Sequence, residues 1–166
     1  TLLALKNKED KEEIKFNLIC GDATDFHVVN KFNVSHFDCV VGNPPYIKIQ
    51  DLPVQSRQFL KQHYRTMEKG NVNIYFAFVE LGIKYLAEDG ILGYIIPNYI
   101  LKLKAAESLR ELLINHRYIK KIIDFKCNKL FDDIQTYTCI LFLDKKQKKN
   151  IQYNVIKKLN TPDLSF

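Results

Sequence analysis

Four consecutive residues, Asn43-Pro44-Pro45-Tyr46, directly follow an apolar run and combine groups that suit one kind of chemistry. A residue before proline favours an extended backbone and proline has no N–H, so this segment is stiff. It is predicted to present two acceptors, the Asn43 side-chain oxygen and the Pro44 carbonyl, with the Tyr46 ring beside them. Two fixed acceptors and a ring suit a planar group that carries an NH2.

An amine on a base or an amide is a poor nucleophile because its lone pair is delocalised. Two acceptors on its hydrogens favour a pyramidal nitrogen, which can attack an electrophilic methyl group in line. No general base is needed first, because the proton becomes acidic only after the transfer. Residues 43–46, called here the amine hook, are therefore predicted to act by orientation and electrostatic preorganisation. The alternative is a polyproline-like turn that merely leaves a strand.

The hook must be positioned by an alternation of strands and helices. Helical spacing from Ile74 to Leu86, ended by Gly90, predicts one helix, and residues 104–116 form an amphipathic pattern with three inward leucines. Strands apolar on both faces and separated by helices predict an α/β fold with a mostly parallel sheet. Apolar runs predict the strands at Ile14–Cys20, Phe37–Gly42, Ile91–Pro97, Tyr118–Phe125, Thr136–Lys145 and from Ile151 onward.

In such sheets, ligands bind beyond the carboxyl ends of the strands. Three strand exits carry polar or constrained residues: the turn that begins Gly21-Asp22, the amine hook, and Pro97-Asn98. Chemistry is therefore expected at this edge of the sheet.

The bulk composition narrows the class of protein. The chain has 166 residues, 46% of them hydrophobic, which is enough for one globular domain with a core. No apolar run reaches the roughly 18 residues that span a bilayer, and a cytoplasmic location without a membrane partner is expected. The formal charge of +6 favours a polyanionic partner weakly.

Four cysteines occur, and none forms a C-x-x-C pair, so no metal site is expected. Cys20, Cys39 and Cys139 lie in apolar runs and are predicted to be small core residues. The four histidines share no spacing that points to metal binding or to acid–base work.

Beyond the hook, the chain resembles the adenine-N6 DNA methyltransferases of bacterial restriction–modification systems, and in particular type IIG-like enzymes that fuse methylation with cleavage. The resemblance covers roughly residues 15–145. It implies a Rossmann-like methyltransferase fold with helices on both faces of the sheet, S-adenosylmethionine as cofactor, and double-stranded DNA with a flipped adenine as partner. The segments that carry it are VVGNPPYI, FNLICGDATDF, NIYFAFVELGIKYLAEDGILGYIIPNYIL and NKLFDDIQTYTCILFL.

The resemblance also implies roles for individual residues of the catalytic motif. Asn43 and Pro44 accept hydrogen bonds from the target amine, and Pro45 belongs to the same motif. Tyr46 stacks on the flipped adenine, and Phe131 matches the second aromatic residue that contacts this base.

For the cofactor, the resemblance implies that Asp22 accepts from its adenine amine with Ala23 alongside, and that Asn43 contributes to the same site. One feature of the family is absent, because none of the six glycines stands two positions from another and so no G-x-G turn exists. The chain is therefore predicted to be a partial catalytic domain that lacks its first strands, the cofactor-binding strands, and any target-recognition domain. Residues 1–145 are assigned to this domain, and residues 146–166 to the start of a following strand or a linker.

Two other functions fit the same residues. Glutamine methyltransferases that act on release factors, and some ribosomal-RNA methyltransferases, share the N-P-P-Y chemistry, because a glutamine amide is also a planar NH2 group. The third hypothesis is a non-catalytic fragment that binds nucleic acid. The missing G-x-G turn favours this hypothesis for the isolated chain.

Overall fold

The computed structural model describes residues 17–127 and 137–156. They fall into two units that divide between Val34 and Ser35, and the second unit contains the whole β-sheet. No helix in these two ranges is long and apolar enough to cross a membrane. The helices are α1 (Phe26–Asn30), α2 (Val54–His63), α3 (Tyr75–Lys84) and α4 (Glu107–Asn115), and the strands are β1 (Phe37–Gly42), β2 (Leu86–Pro97), β3 (Ile119–Asp124), β4 (Thr138–Leu143) and β5 (Gln152–Val155).

The first unit holds a tight turn followed by α1. Asp25 begins the helix, and its side chain accepts a 2.9 Å hydrogen bond from the backbone amide of His27 in the first turn. Gly21 is closely enclosed, because a Cβ at this position would lie 2.9 Å from Cγ2 of Val28. The turn therefore depends on a residue without a side chain.

The strand predicted at Ile14–Cys20 is not formed in the part that the structure describes. Residues 17–20 have no regular structure, and residues 14–16 lie outside the described ranges. A strand is stable only when a neighbour pairs with its backbone, and no described strand pairs with residues 17–20.

The second unit contains one five-stranded sheet in the order β1-β2-β4-β3-β5. The β1–β2 and β3–β5 pairs are parallel, whereas β4 is antiparallel to both β2 and β3. Four of the five strands thus point in one direction, as the prediction of a mostly parallel sheet requires. Their carboxyl ends consequently lie along a single edge.

The predicted strand Phe37–Gly42 is observed with the same bounds, and the later strands agree within a few residues. The helix predicted to run to Gly90 is wrong at its end, because α3 stops at Lys84 and Leu86 already belongs to β2. Leu86 is fully buried opposite Phe37 in the sheet. The Phe37 amide donates a 2.7 Å hydrogen bond to the Tyr85 carbonyl, so pairing with β1 ends the helix.

The helices of the second unit gather on one face of the sheet. Alternate residues of β2, namely Leu92, Tyr94 and Ile96, are buried on that face, and the first two contact α3. Helices α2, α3 and α4 all contact the short 3-10 turn Arg65–Met67. Glu80 on α3 fixes this turn, since its carboxylate accepts from the first two amides of the turn at 3.1 and 2.9 Å.

The opposite face of the sheet is largely open. Val41 is 79% exposed, Cys39 is exposed, and Ile95 is only half-buried. Helices were expected on both faces of the sheet. Within residues 35–127 and 137–156 they lie on one face only. The prediction that Cys39 is a core residue is therefore wrong, as it is for Cys20 in the irregular segment, whereas Cys139 is buried as predicted.

Helix α3 packs so closely on β2 that Gly82 leaves no room for a methyl group. A Cβ there would lie 2.4 Å from Cδ1 of Leu92 and 3.0 Å from the Tyr94 hydroxyl, and Leu92 is fully buried. Overpacking in Gly82→Ala costs roughly 1–3 kcal/mol, and the better helix propensity of alanine offsets about 1 kcal/mol of this cost. We therefore expect the substitution to lower the free energy of unfolding by up to about 2 kcal/mol.

Urea unfolding of the protein measures this effect. Gly93→Ala is the matched control, because the nearest atom to its added Cβ lies 3.4 Å away, an ordinary contact. A Gly82→Ala protein as stable as the Gly93→Ala protein would contradict the close packing of α3 on β2.

Candidate active site at the carboxyl edge of the sheet

The amine hook begins where β1 ends, at Gly42. Two further strand ends lie at the same edge of the sheet. Strand β2 ends at Pro97 and leads into Asn98, and β3 ends at Asp124. Because β1, β2 and β3 share one direction, these residues emerge at the same edge of the sheet. The structure thus places the hook and the Pro97-Asn98 exit together, as the sequence predicts.

The chain that leaves the hook is anchored to the entrance of α3. The Ile49 amide donates to the Val72 carbonyl and the Ile74 amide to the Ile47 carbonyl, each over 2.9 Å. An isolated antiparallel bridge joins the same two segments between these bonds. The hook is therefore held at both ends, by β1 before it and by this short ladder after it.

Within the hook, the acceptor groups differ in exposure. Asn43 and Pro45 are exposed, whereas Pro44 is buried. No donor in the described ranges reaches the Pro44 carbonyl. Asn43 and Pro44 thus retain acceptor capacity for an incoming group, which is what the predicted chemistry requires.

Tyr46 makes a contact that the sequence did not predict. Its hydroxyl lies 2.7 Å from Oδ1 of Asn43 and 3.1 Å from the Ile95 carbonyl on β2. Its ring stands edge-on to Tyr75 of α3, with centroids 6.4 Å apart and an interplanar angle of 81°. The tyrosine is half-buried, so it retains ring surface while it ties the hook to β2 and to α3.

Two weakly acidic groups at this site, the Tyr46 phenol and the Cys139 thiol, stay protonated near neutral pH. Burial raises the pKa of Tyr46 to about 12, with the nearby Cys139 thiol and Tyr99 phenol adding to the effect. Burial, followed by the carboxylate of Asp124, likewise raises the pKa of Cys139 to about 12. Tyr46 is therefore a neutral hydrogen-bond donor near neutral pH, and the Cys139 thiol is not an activated nucleophile.

A buried carboxylate ties three strand ends together beside the hook. Asp124 is 2% exposed, and its Oδ1 accepts from Nδ2 of Asn98 at 3.0 Å and from the Lys126 amide at 2.9 Å. Its Oδ2 accepts from the Tyr153 hydroxyl of β5 at 2.6 Å and pairs with Nζ of Lys126 at 3.0 Å. Asn98 also donates to the Lys126 carbonyl at 3.2 Å. We call Asp124, Asn98, Lys126 and Tyr153 the Asp124 cluster.

Burial by itself raises the pKa of Asp124, but the hydrogen bonds from Tyr153, Asn98 and Lys126 outweigh it and hold the pKa well below the usual range. Sequence reasoning singled out Pro97-Asn98 but missed the rest of this cluster. A signal was present, because Asp124 is the one acid of its strand and directly follows the apolar pair Ile122-Ile123.

Asp22 belongs to the first unit and is described with it alone. Its Oδ1 accepts from the backbone amide of Thr24 at 2.8 Å and from the Thr24 hydroxyl at 2.7 Å, while Ala23 is exposed beside it. No donor in the described ranges reaches its Oδ2. Phe131, the second predicted aromatic residue, lies outside the described residues.

Metal binding finds no support in the described ranges. No group of three or more His, Cys, Asp or Glu side chains in them converges in a way that could hold an ion.

Comparison with known sequences finds relatives among restriction–modification enzymes. A family model described as Eco57I restriction-modification methylase matches residues 2–131. The type II restriction enzyme and methyltransferase RM.Eco57I of Escherichia coli is 34% identical over an alignment of 143 residues that covers 80% of this chain and 14% of that protein. The type II methyltransferase M.HincII of Haemophilus influenzae is 28% identical over 130 residues, which make up 77% of this chain and 26% of that protein.

Comparison with solved structures finds the same class of fold. A protein from Listeria monocytogenes assigned to the class I S-adenosylmethionine-dependent methyltransferases has a TM-score of 0.62 at 22% identity, over 78% of this chain and 39% of that one. The type IIL restriction-modification enzyme MmeI, solved in complex with DNA, has a TM-score of 0.58 at 14% identity, over 75% of this chain and 17% of that one. The predicted Rossmann-like methyltransferase fold is confirmed.

The Asp124 cluster generates a pH-dependent prediction. The pKa of Asp124 in the folded protein lies below the value of about 4 that an aspartate has when unfolded. Its contribution to stability is therefore complete above pH ~4 and is lost as the pH falls from there. We expect Asp124→Asn to destabilise the protein at pH 7, and we expect the difference from the wild type to shrink at about pH 3.

Urea unfolding at about pH 7, 5 and 3 measures this change. Asp51→Asn, which alters an exposed carboxylate, serves as the control and should leave stability unchanged at each pH. A wild-type-minus-Asp124→Asn difference that stays constant over this range would show that the charge of Asp124 does not stabilise the fold.

Proposed function

Since the chain belongs to the Eco57I restriction-modification methylase family, we propose that it is the catalytic part of an S-adenosylmethionine-dependent DNA methyltransferase that acts on the N6 amine of adenine. The observation that carries this proposal is the amine hook, which combines acceptors and a ring at the carboxyl edge of a methyltransferase sheet. The type IIL enzyme with a similar fold was solved in complex with DNA, which supports DNA as the partner.

In this proposal, the hook acts on the hydrogens of the target amine. Oδ1 of Asn43 and the carbonyl of Pro44 each accept one of them, and Pro45 keeps the two acceptors at a fixed separation. Two such bonds draw the lone pair out of the aromatic system and onto the nitrogen. The acceptors are fixed before the base arrives, so little reorganisation is needed during the reaction. After the transfer, the amine carries one methyl group in place of one hydrogen and has released a proton.

The base must leave the DNA duplex to reach the hook, because its N6 edge is otherwise paired. Tyr46 and Phe131 are proposed to hold the extrahelical adenine by stacking. The edge-on contact with Tyr75 fixes the plane of the Tyr46 ring, so the stacking surface is oriented in advance. Stacking of a base on an aromatic side chain contributes about 1–3 kcal/mol.

S-adenosylmethionine supplies the electrophilic methyl group when it is bound. Among the residues present, Asp22 suits its adenine amine, because Oδ1 is fixed by Thr24 while Oδ2 can still accept. Ala23 lies alongside, and Asn43 is proposed to contribute from the hook. The chain lacks a G-x-G turn, so we propose that further parts of the cofactor site come from the parent enzyme.

The relatives support this view of a partial domain. The chain spans only 14% and 26% of the two curated relatives described above. The open face of the sheet, with Val41 79% exposed on the edge strand β1, is suited to be covered by cofactor-binding strands and helices of a longer protein. We propose that residues 1–145 belong to the catalytic domain, that residues 146–166 begin a following segment, and that a target-recognition domain lies elsewhere in a cytoplasmic parent enzyme.

Replacing the hook acceptor tests the reaction. We expect Asn43→Ala in the full-length enzyme to lower the rate of N6-methyladenine formation on the order of 100-fold or more, as loss of a preorganised hydrogen-bonding group does elsewhere. Mass spectrometry of digested DNA measures the product. Asn115→Ala, an exposed asparagine at the end of α4, is the matched control and should retain full activity.

A full-length enzyme that binds the cofactor but leaves DNA unmethylated would overturn the proposed substrate. Methylation of a glutamine amide in protein, or of ribosomal RNA, would then be the activity to assay. Equal rates for the Asn43→Ala enzyme and the wild type would instead exclude the hook from catalysis.

Cofactor binding tests whether the domain is partial. We expect calorimetry to show no binding of S-adenosylmethionine to the 166-residue chain, and to show binding to a protein extended upstream, because these 166 residues contain no G-x-G turn. Tight binding to the chain alone would contradict the proposed division of the site.

A further inference from the structure

The hydroxyl of Tyr46 has one proton and two acceptors within reach. Oδ1 of Asn43 lies at 2.7 Å and the Ile95 carbonyl at 3.1 Å. The ring alone would be enough for stacking on a base, so neither contact is needed for that role. The shorter contact joins the hydroxyl to the side-chain oxygen that, under the proposed function, must face the target amine.

An asparagine side chain can present either of two opposite groups, since its amide carries an acceptor oxygen and a donor nitrogen at similar positions. In the hook, only the oxygen can accept a hydrogen bond from the target amine. If Nδ2 of Asn43 faced the substrate instead, two donors would meet and one of the two amine hydrogens would have no partner. Some group must therefore select one orientation of the Asn43 amide.

We propose that the Tyr46 hydroxyl is this group, a positioning residue that holds Oδ1 of Asn43 toward the hook by donating a hydrogen bond to it. This inference rests on the proposed function and gives Tyr46 a second role beside ring stacking. The oxygen of an amide has two lone pairs, so Oδ1 can accept from Tyr46 and from an incoming amine at the same time.

The surroundings of Tyr46 suit a permanent donor. Burial raises the pKa of its phenol to about 12, so the hydroxyl keeps its proton at any pH used to assay the enzyme. The Ile95 carbonyl is a second acceptor on the rigid strand β2, and the ladder between Ile47–Ile49 and Val72–Ile74 holds the chain that follows. The single proton is directed chiefly to the nearer acceptor, Oδ1 of Asn43 at 2.7 Å, and the Ile95 carbonyl at 3.1 Å is the weaker partner.

The test is Tyr46→Phe in the full-length enzyme, since this change removes the hydroxyl and keeps the ring. We expect kcat for adenine methylation to fall roughly three- to tenfold, the effect of one neutral hydrogen bond, with little change in KM for DNA. Fluorescence of 2-aminopurine at the target position should show unchanged flipping and stacking. Tyr118→Phe, which removes a hydroxyl from a half-buried tyrosine at the opposite end of β3, is the matched control and should leave kcat unchanged.

A second measurement separates positioning from a general structural effect. If the hydroxyl acts through Asn43, then Tyr46→Phe should have no further effect in an Asn43→Ala background, so that the double-mutant cycle shows strong coupling. An unchanged kcat in the single variant would overturn the inference, and so would an equal loss in both backgrounds. A wild-type enzyme that does not methylate adenine would count against the proposed function instead, which keeps the two failures distinct.

Discussion

Two consecutive prolines remove two backbone donors at the end of β1, and the rest of the site is arranged around this constraint. A segment without N–H groups cannot hold its shape through its own backbone hydrogen bonds. Its geometry must therefore come from its flanks. Strand β1 fixes the start, the ladder to the entrance of α3 fixes the end, and the Tyr46 hydroxyl ties the middle to β2. The same missing donors leave the carbonyl of Pro44 as an acceptor for a ligand.

The second feature that arranges the site is the shared direction of four strands. Since β1, β2, β3 and β5 end at one edge, hydrogen bonds there join residues up to 49 positions apart in sequence. The Asp124 cluster joins three of these ends through one buried carboxylate, and its hydrogen bonds are what allow a charge to remain buried. Asn98 belongs to this cluster and lies three residues after Ile95, the acceptor for Tyr46. The edge that carries the hook is thus reinforced by a polar network.

The two faces of the sheet differ in how fully helices cover them. On one face, α3 approaches β2 closely at Gly82, and the neighbouring helices meet at one turn. On the other face, apolar side chains of β1 and β2 remain exposed or half-buried in the described unit. A parallel edge strand with exposed valine is a surface that proteins normally cover. This exposed face supports the proposal that the chain is part of a larger catalytic domain.

The sequence by itself determined the class of fold, the location of the hook directly after a strand, and the prediction that chemistry lies at the carboxyl edge. It could do so because apolar runs and proline constraints are local properties, as the agreement for Phe37–Gly42 shows. It failed where long-range pairing overrides local pattern, since the pairing of Leu86 with Phe37 ends a helix that periodicity extended to Gly90. Only the tertiary structure decided that the Tyr46 hydroxyl reaches the Ile95 carbonyl of β2 and that Asp124 meets Asn98 and Tyr153. These contacts depend on how strands pair and in which register, and hydrogen bonds between distant side chains leave no periodic trace in the chain.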